Sequence, residues 1–369
     1  MKLITYNSPN NLTVGPNVPV RVNLSVGLEK LEAMERELEK INAVLSSSEP
    51  PDLLMDLSII QSTTELWPII RNKFLGPIGV VPHYSIFSDT YGLDANNLLE
   101  RIQMLFENGV NFISIHCTPN AELFSLAKRN RYSPVTSRGG SLVIRDMLLN
   151  RRNDNIFSMI FDDICNLAKK YNAVINLGTT FRAASVAEGF DAVAKRELIE
   201  QAKYCKIAEK SGVQIVLEGP GHISLGDVDS YFNHIKYLNA PPMPLGPIVT
   251  DTDNELDHVA AAVGAATLMM KSKGGIINAI TSAEHRSGVP NVSHLLDGLK
   301  IAKLSAQIAS LTYNVQAMKK EKDIAKKRGL LESCCLDTKA KGCSRCGHTC
   351  PLIADKYMKT QHHSKTIAS

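Results

Sequence analysis

The run Lys341-Gly342-Cys343-Ser344-Arg345-Cys346-Gly347-His348-Thr349-Cys350-Pro351 brings three cysteines onto one short loop. Spacings of two and then three residues let Cys343, Cys346 and Cys350 share one soft metal centre. Three thiolates can hold three irons of a four-iron cluster and leave the last iron open to a cofactor, whereas a structural zinc site is closed by four ligands. His348, Cys334 and Cys335 are the candidates for a fourth zinc ligand. Spacing alone supports cluster and zinc equally.

Two further groups of residues carry chemistry. Glu218-Gly219-Pro220-Gly221-His222 places an acid and an imidazole on a sharp turn, and His285 lies on a later loop. Two imidazoles with open remaining positions suit a divalent cation that also binds substrate or solvent, although a hydrogen-bonded loop histidine is the plainer reading of either alone. Ser137-Arg138-Gly139-Gly140-Ser141 precedes a periodic segment, so its amides and Arg138 can hold a phosphate at a helix start, and Arg182 can act likewise. An ordinary turn is the competing reading there.

Short apolar runs alternating with longer periodic segments must position these residues. Pro19–Leu24, Leu53–Met55, Ile78–Val81, Phe112–Ile115, Ala173–Leu177, Gln214–Leu217, Leu245–Val249 and Ile276–Ala279 read as eight strands. Between them the three-to-four spacing predicts helices, among them Leu28–Leu45, Ala95–Asn108, Ala121–Asn130, Ala192–Ser211 and Val292–Ser310. Eight such units over residues 19–310 predict an α/β fold, a (β/α)8 TIM-type barrel, with a doubly wound open sheet as the rival. Residues 1–18 read as an irregular lead-in, 311–331 as a helical extension, and 332–369 as a mobile cysteine-bearing arm with a disordered tail. In a parallel barrel the polar residues just after each strand face the active site. Here they are Asn23 and Ser25, Met55-Asp56, His83-Tyr84, His116, Thr179 and Arg182, Glu218 and His222, and Glu284-His285.

Composition narrows the class. The 369 residues are 44% hydrophobic and carry a net charge of +4, which supports a large core and gives no reason to expect a nucleic-acid partner. Of eight cysteines, five fall between residues 334 and 350, a distribution unlike a disulfide scaffold. No apolar run reaches bilayer length and the start lacks a signal peptide's apolar core, so a cytoplasmic protein without a membrane partner is expected.

These stretches together resemble the phosphomethylpyrimidine synthase (ThiC) family over nearly all of residues 19–350. The resemblance rests on Met55-Asp56-Leu57-Ser58, Pro77 to Tyr84, Ile115-His116, Ser137 to Ser141, Glu218 to His222, Leu245-Gly246-Pro247, Asp257-His258, Glu284-His285 and the cysteine loop, in that order. It implies a radical S-adenosylmethionine lyase with a 4Fe-4S cluster, which makes a 5′-deoxyadenosyl radical and rearranges 5-aminoimidazole ribonucleotide into hydroxymethylpyrimidine phosphate for thiamine biosynthesis. It further implies that Cys343, Cys346 and Cys350 ligate the cluster and that His222 and His285 hold a divalent metal, zinc or iron. Asn23, Ser25, Met55, Tyr84, His116, Ser137, Arg138, Gly139, Thr179, Arg182, Glu218 and Met243 would surround the substrate, with Glu218, Tyr84 and His116 catalytic. The implied partners are an electron donor and a second copy of the chain, whose barrel receives the cysteine arm.

Four departures from the family pattern bear on substrate and cluster. The last two cysteines are separated by three residues instead of four, Ser25 stands for an Asn, Thr179 for the Asp of an Asp-Gly-Leu-Arg motif, and Met243 for a Tyr. They keep open a paralogue that resembles the 5-hydroxybenzimidazole synthases of cobamide lower-ligand synthesis, or one that uses another substrate. A different class also stays open: a non-radical zinc-binding barrel with a binding or regulatory role.

Overall fold

The computed structural model describes residues 1–60, 65–252, 255–286, 288–336, 345–346 and 349–353. Cys343, His348 and the tail expected to be disordered lie outside these residues. The chain divides into two compact units, residues 1–313 and 314–369.

In the first unit, seven parallel strands form one sheet. They are β3 (Arg21–Val26), β4 (Leu53–Asp56), β5 (Ile78–Val80), β6 (Phe112–Ile115), β7 (Val174–Leu177), β8 (Gln214–Leu217) and β9 (Ile276–Asn278), in the order β8-β7-β6-β5-β4-β3-β9. Alternation along each strand sorts the side chains onto two faces. Ile113, Ile115, Ile175 and Leu177 belong to the large outer core shared with the helices. Leu53, Met55, Phe112, Val174, Val216, Met243 and Ile276 form a second cluster inside the curled sheet.

The eighth strand position is filled by an irregular segment. Leu217 donates its N–H to the Pro241 carbonyl at 3.0 Å, Met243 donates to the Leu217 carbonyl at 2.7 Å, and Ile276 donates to the Pro242 carbonyl at 2.9 Å. Residues 241–243 therefore bond to β8 on one side and β9 on the other, closing a TIM-type barrel. Pro241, Pro242 and Pro244 have no N–H to donate, so a regular two-sided ladder cannot form. This corrects the expected strand at Leu245–Val249, where Ile248 instead makes a parallel bridge to His222 beyond the end of β8.

The lead-in is also more ordered than its composition suggests. β1 (Ile4–Tyr6) and β2 (Leu12–Val14) pair antiparallel, and Ile4, Tyr6 and Val14 join the inner cluster. Tyr6 meets Phe112 edge to face at 5.5 Å, so this hairpin packs against the interior core.

Helices follow the strands, and several of them start at a side-chain cap. They include α1 (Met34–Leu45), α2 (Trp67–Lys73), α3 (Ala95–Glu107), α4 (Ala121–Asn130), α5 (Arg138–Leu149), α6 (Ile156–Met159), α7 (Phe161–Lys170), α8 (Ala192–Ser211), α9 (Val228–Ile235), α10 (Asp257–Ser272) and α11 (Val292–Ser310). Asp94, Asn120, Ser137, Asp191 and Asn291 each accept a first-turn N–H, satisfying a donor that has no partner within the helix. In the second unit, α12 (Val315–Leu331) starts at the Asn314 cap.

Candidate active site

Inward-facing positions near the strand ends turn polar. Asn23, Ser114 and Asn176 are buried, and Asn278 stands beside them in the registers that pair β3 with β9 and β6 with β7. Asn23 donates to the Asn278 side chain at 2.8 Å, and Asn176 donates to Ser114 at 3.1 Å. Asn278 in turn donates to the Met243 and Pro244 carbonyls, tying the irregular closing segment to the last strand. The side-chain oxygens of Asn23 and Asn176 and the hydroxyl of Thr179 are buried with no hydrogen-bond partner among the described residues. Buried polar atoms are seldom left unpaired, so these three mark places where a polar ligand would be stabilised.

Above this layer the loops bring distant residues together. His116 has both ring nitrogens engaged, Nε2 with Ser137 Oγ and Nδ1 with Thr180 Oγ1, each at 3.1 Å. A Cβ on Gly139 or on Gly178 would lie 2.7 Å from this imidazole, so both positions need glycine for the backbone to approach the ring. His83, fully buried, donates from Nε2 to the Gly139 carbonyl at 3.1 Å. Burial lowers its pKa to about 4, and burial together with the neighbouring His83 and Arg182 holds His116 well below the usual imidazole range. Both rings are neutral at neutral pH and act as hydrogen-bonding groups.

Two arginines border the same space. The Arg138 guanidinium lies 5.8 Å from the centre of the Tyr84 ring. Arg182 donates to Glu218 at 2.5 Å and to the Thr179 carbonyl at 3.2 Å. Burial raises the Glu218 carboxyl above its ordinary range, with Arg182 and Ser114 opposing that rise. The Tyr84 phenol is pushed up to about 12 by burial, against the pull of Arg138 and Arg182. Met55 and Met243 lie buried in the inner cluster, against which Tyr84 packs, and form an apolar floor.

His222 and His285 meet with ring centres 4.9 Å apart. His222 Nδ1 lies 2.6 Å from Asp251 and His285 Nδ1 lies 3.3 Å from Asp257. Carboxylates on both Nδ1 atoms leave both Nε2 atoms as metal donors, the arrangement by which carboxylates orient metal-binding histidines. Burial lowers the His222 pKa against the opposing Asp251 bond. For Asp251 burial acts upward, but hydrogen bonds from His222, Val186 N–H and Ser185 outweigh it and hold the carboxyl low. This donor set fits a divalent ion that fills its other positions with solvent or substrate. Among the described residues no group of three or more His, Cys, Asp and Glu forms a more complete ligand set.

The expected site residues of the barrel thus converge as two neighbourhoods, one around His116 and one around His222, with Ser25 half-buried at the end of β3. Of the cysteines, Cys346 is exposed and Cys350 half-buried, while Cys343 lies outside the described residues. Reading the sequence for residues after the strands missed Ser114, Asn176, Asn278, Thr180, Asp251 and Glu197. A signal existed for three of these, a polar residue inside an apolar strand, as in Ile113-Ser114-Ile115, Ile175-Asn176-Leu177 and Ile276-Ile277-Asn278. Thr180, Asp251 and Glu197 reach the site only through loop and helix packing.

A closed parallel barrel whose polar groups gather at the strand ends has the architecture of a TIM-barrel enzyme. Residues 3–337 match the model of the radical SAM ThiC family, and the chain belongs to that family. It is 30% identical to a phosphomethylpyrimidine synthase of Thermoanaerobacter sp. (strain X514), over 94% of this chain and 86% of that protein. It is 32% identical to a phosphomethylpyrimidine synthase of Clostridium tetani, covering 82% of this chain and 67% of that one. A 5-hydroxybenzimidazole synthase of Geobacter metallireducens is 30% identical over 87% of this chain and 75% of that protein. Membership implies S-adenosylmethionine and an iron–sulfur cluster. Among the described residues no helix is long and apolar enough to cross a membrane.

Proposed function

We propose that this protein is a radical S-adenosylmethionine lyase that converts 5-aminoimidazole ribonucleotide to hydroxymethylpyrimidine phosphate. The carrying observation is the convergence of Ser137, His116, Arg138, Tyr84, Arg182 and Glu218 at the end of the barrel where such enzymes work. Cys343, Cys346 and Cys350 would hold a 4Fe-4S cluster, and His222 with His285 a zinc or iron ion. When bound, the cluster and S-adenosylmethionine supply one-electron initiation, with electrons from a reducing partner.

The chain's own residues bind, orient and move protons. Arg138 and the glycine-rich start of α5 receive the phosphate. The heterocycle lies on the floor of Met55, Tyr84 and Met243, while Asn23, Asn176 and Thr179 offer their unpaired atoms to its polar edge. Neutral His116, with one ring nitrogen on Ser137 and the other on Thr180, orients these two hydroxyls at the mouth without adding charge. Glu218, with a raised pKa, exchanges a proton with the substrate while Arg182 keeps it in place. Desolvation inside the mouth protects reactive carbon from water. The resemblance also supports a homodimer.

A second reading is favoured by the Geobacter relative and by Thr179 and Met243, which remove a carboxylate and a phenol from the pocket. Under it the same ribonucleotide is rearranged to 5-hydroxybenzimidazole. One assay separates them. The anaerobically reconstituted protein, with reductant, S-adenosylmethionine and aminoimidazole ribonucleotide, should yield hydroxymethylpyrimidine phosphate. Hydroxybenzimidazole would select the second reading, and colourless zinc binding without cofactor cleavage would sink both.

A further inference from the structure

Helix α12 concentrates the charge of the protein. Its 17 residues hold six lysines and arginines against two acids, a net of +4 that equals the net charge of the whole chain. The rest of the protein therefore sums to zero. Of the 17 residues only Ala317 is buried. A helix in a folded protein is normally held by packing an apolar face, and α12 packs almost none.

One face of this helix has a defined pattern. Val315, Lys319, Lys322, Lys326 and Leu330 follow one another at spacings of four, three, four and four residues, so they form a single row, and all five are exposed. Val315 and Leu330, 84% and 86% exposed, put an apolar group at each end of the three lysines. Lys320 and Lys327 flank the row, and Asp323 is the one acid beside it. Lysines three and four residues apart repel one another and destabilise a helix. An opposite charge from a partner removes that repulsion.

We propose that this face of α12 is the docking surface for a small acidic one-electron carrier. The choice of a redox protein rests on the radical S-adenosylmethionine reading, which requires an electron donor; the acidic character of the partner rests on the helix itself. Cys343 follows Leu331 by twelve residues, and both belong to the compact unit of residues 314–369. The row is about 22 Å long at 1.5 Å per residue, which suits the small, charge-steered contacts of electron-transfer encounters. Each encounter passes one electron from the reduced carrier to the oxidised cluster, with no bond made or broken. A nucleic acid would need a broader basic surface than one helix of an otherwise neutral chain. A helix lying in a membrane surface carries a continuous apolar face, and here the face is apolar only at its ends.

The test is binding of a plant-type [2Fe-2S] ferredoxin, a small and strongly acidic carrier, to the full-length protein by titration calorimetry. Binding at about 50 mM salt should weaken at least about tenfold at about 300 mM, where surface charges are screened. The Lys319→Glu/Lys322→Glu/Lys326→Glu variant should lose at least about tenfold in affinity at low salt and keep the wild-type circular dichroism and melting temperature. The matching triple arginine variant, which keeps the charge, should bind as wild type does. In the anaerobically reconstituted protein, bleaching of the brown absorbance by reduced ferredoxin should slow at least about tenfold in the glutamate variant, while bleaching by the methyl viologen radical cation should not slow.

Ferredoxin that fails to bind at low salt, or binds the glutamate variant as tightly as wild type, overturns the surface. So does a glutamate variant that changes oligomeric state on size exclusion, or one that loses binding to phosphatidylserine vesicles or single-stranded RNA but not to ferredoxin. The radical reading fails separately, by absence of a cluster or of cofactor cleavage with any reductant. Ferredoxin binding that depends on the three lysines upholds the docking surface even then.

Discussion

Glu197, on α8, is the buried group on which the loop bearing Thr179, Thr180 and Arg182 depends. Its Oε1 accepts the Thr118 hydroxyl and the Thr180 N–H, both at 2.6 Å, and its Oε2 accepts the Phe181 N–H at 3.0 Å. Through Thr180 it fixes the hydroxyl that meets His116. Glu197→Ala would leave these three buried donors unpaired, and at about 1–3 kcal/mol each the loss of stability should be at least about 3 kcal/mol. Glu197→Gln keeps an acceptor for Thr118 and Thr180 but turns an amide N–H₂ towards Phe181 N–H, which loses one bond, about 1–3 kcal/mol.

The two variants also differ in how their stability follows pH. Burial raises the Glu197 pKa to about 7, although its hydrogen bonds from Thr118, Phe181 and Thr180 pull it down. The folded state therefore holds a proton that the unfolded chain releases. This contribution is complete below the unfolded value near 4.5 and is lost as pH rises through about 7. The difference is worth about 3 kcal/mol. Gln cannot titrate, so urea unfolding of wild type and Glu197→Gln should show the variant's deficit at about pH 4.5 shrinking or reversing by about pH 8. An unchanged gap between the two proteins at both pH values would refute the reasoning, as would a Glu197→Ala variant that loses under about 1 kcal/mol.

Other outcomes follow from the same geometry. His83, lowered to about 4, is neutral when folded, so its contribution is full above the unfolded value near 6.5 and is lost as pH falls through about 4. His83→Phe should flatten the acid limb of the unfolding curve by up to about 3 kcal/mol, read by urea titration at a series of pH values. Arg182→Met leaves Glu218 as a buried charge without its partner and should cost about 3–5 kcal/mol together with turnover, read by denaturation and product assay. His222→Ala or His285→Ala should each lower bound zinc or iron, measured by plasma mass spectrometry, while the far-ultraviolet spectrum stays the same. Cys346→Ser should abolish the brown absorbance of the reconstituted protein and leave the melting of the barrel unchanged.

By itself the sequence determined the alternating architecture, because strand and helix periodicities arise from local backbone geometry. Seven of the eight expected strands fall where short apolar runs predict them, and Ala121–Asn130, Ala192–Ser211 and Val292–Ser310 form helices with the predicted ends. It also marked His116, Arg182, Glu218, His222 and His285, since a parallel barrel brings the residues after its strands to one face, and Ser137 and Arg138, since they open a helix. What it did not determine depends on contacts between distant segments. The closing segment at residues 241–243 is recognised only by its bonds to β8 and β9, because proline removes the ladder pattern that periodicity detects. The hairpin β1–β2 has too few residues to signal itself, and its ordering comes from burying Tyr6 against Phe112. Tertiary structure alone decided that Thr180 meets His116, that Asp251 and Asp257 stand behind the imidazoles of His222 and His285, and that Glu37 and Lys40 are buried. Each pairing joins a loop or helix to a site many residues away, and no local rule carries that information.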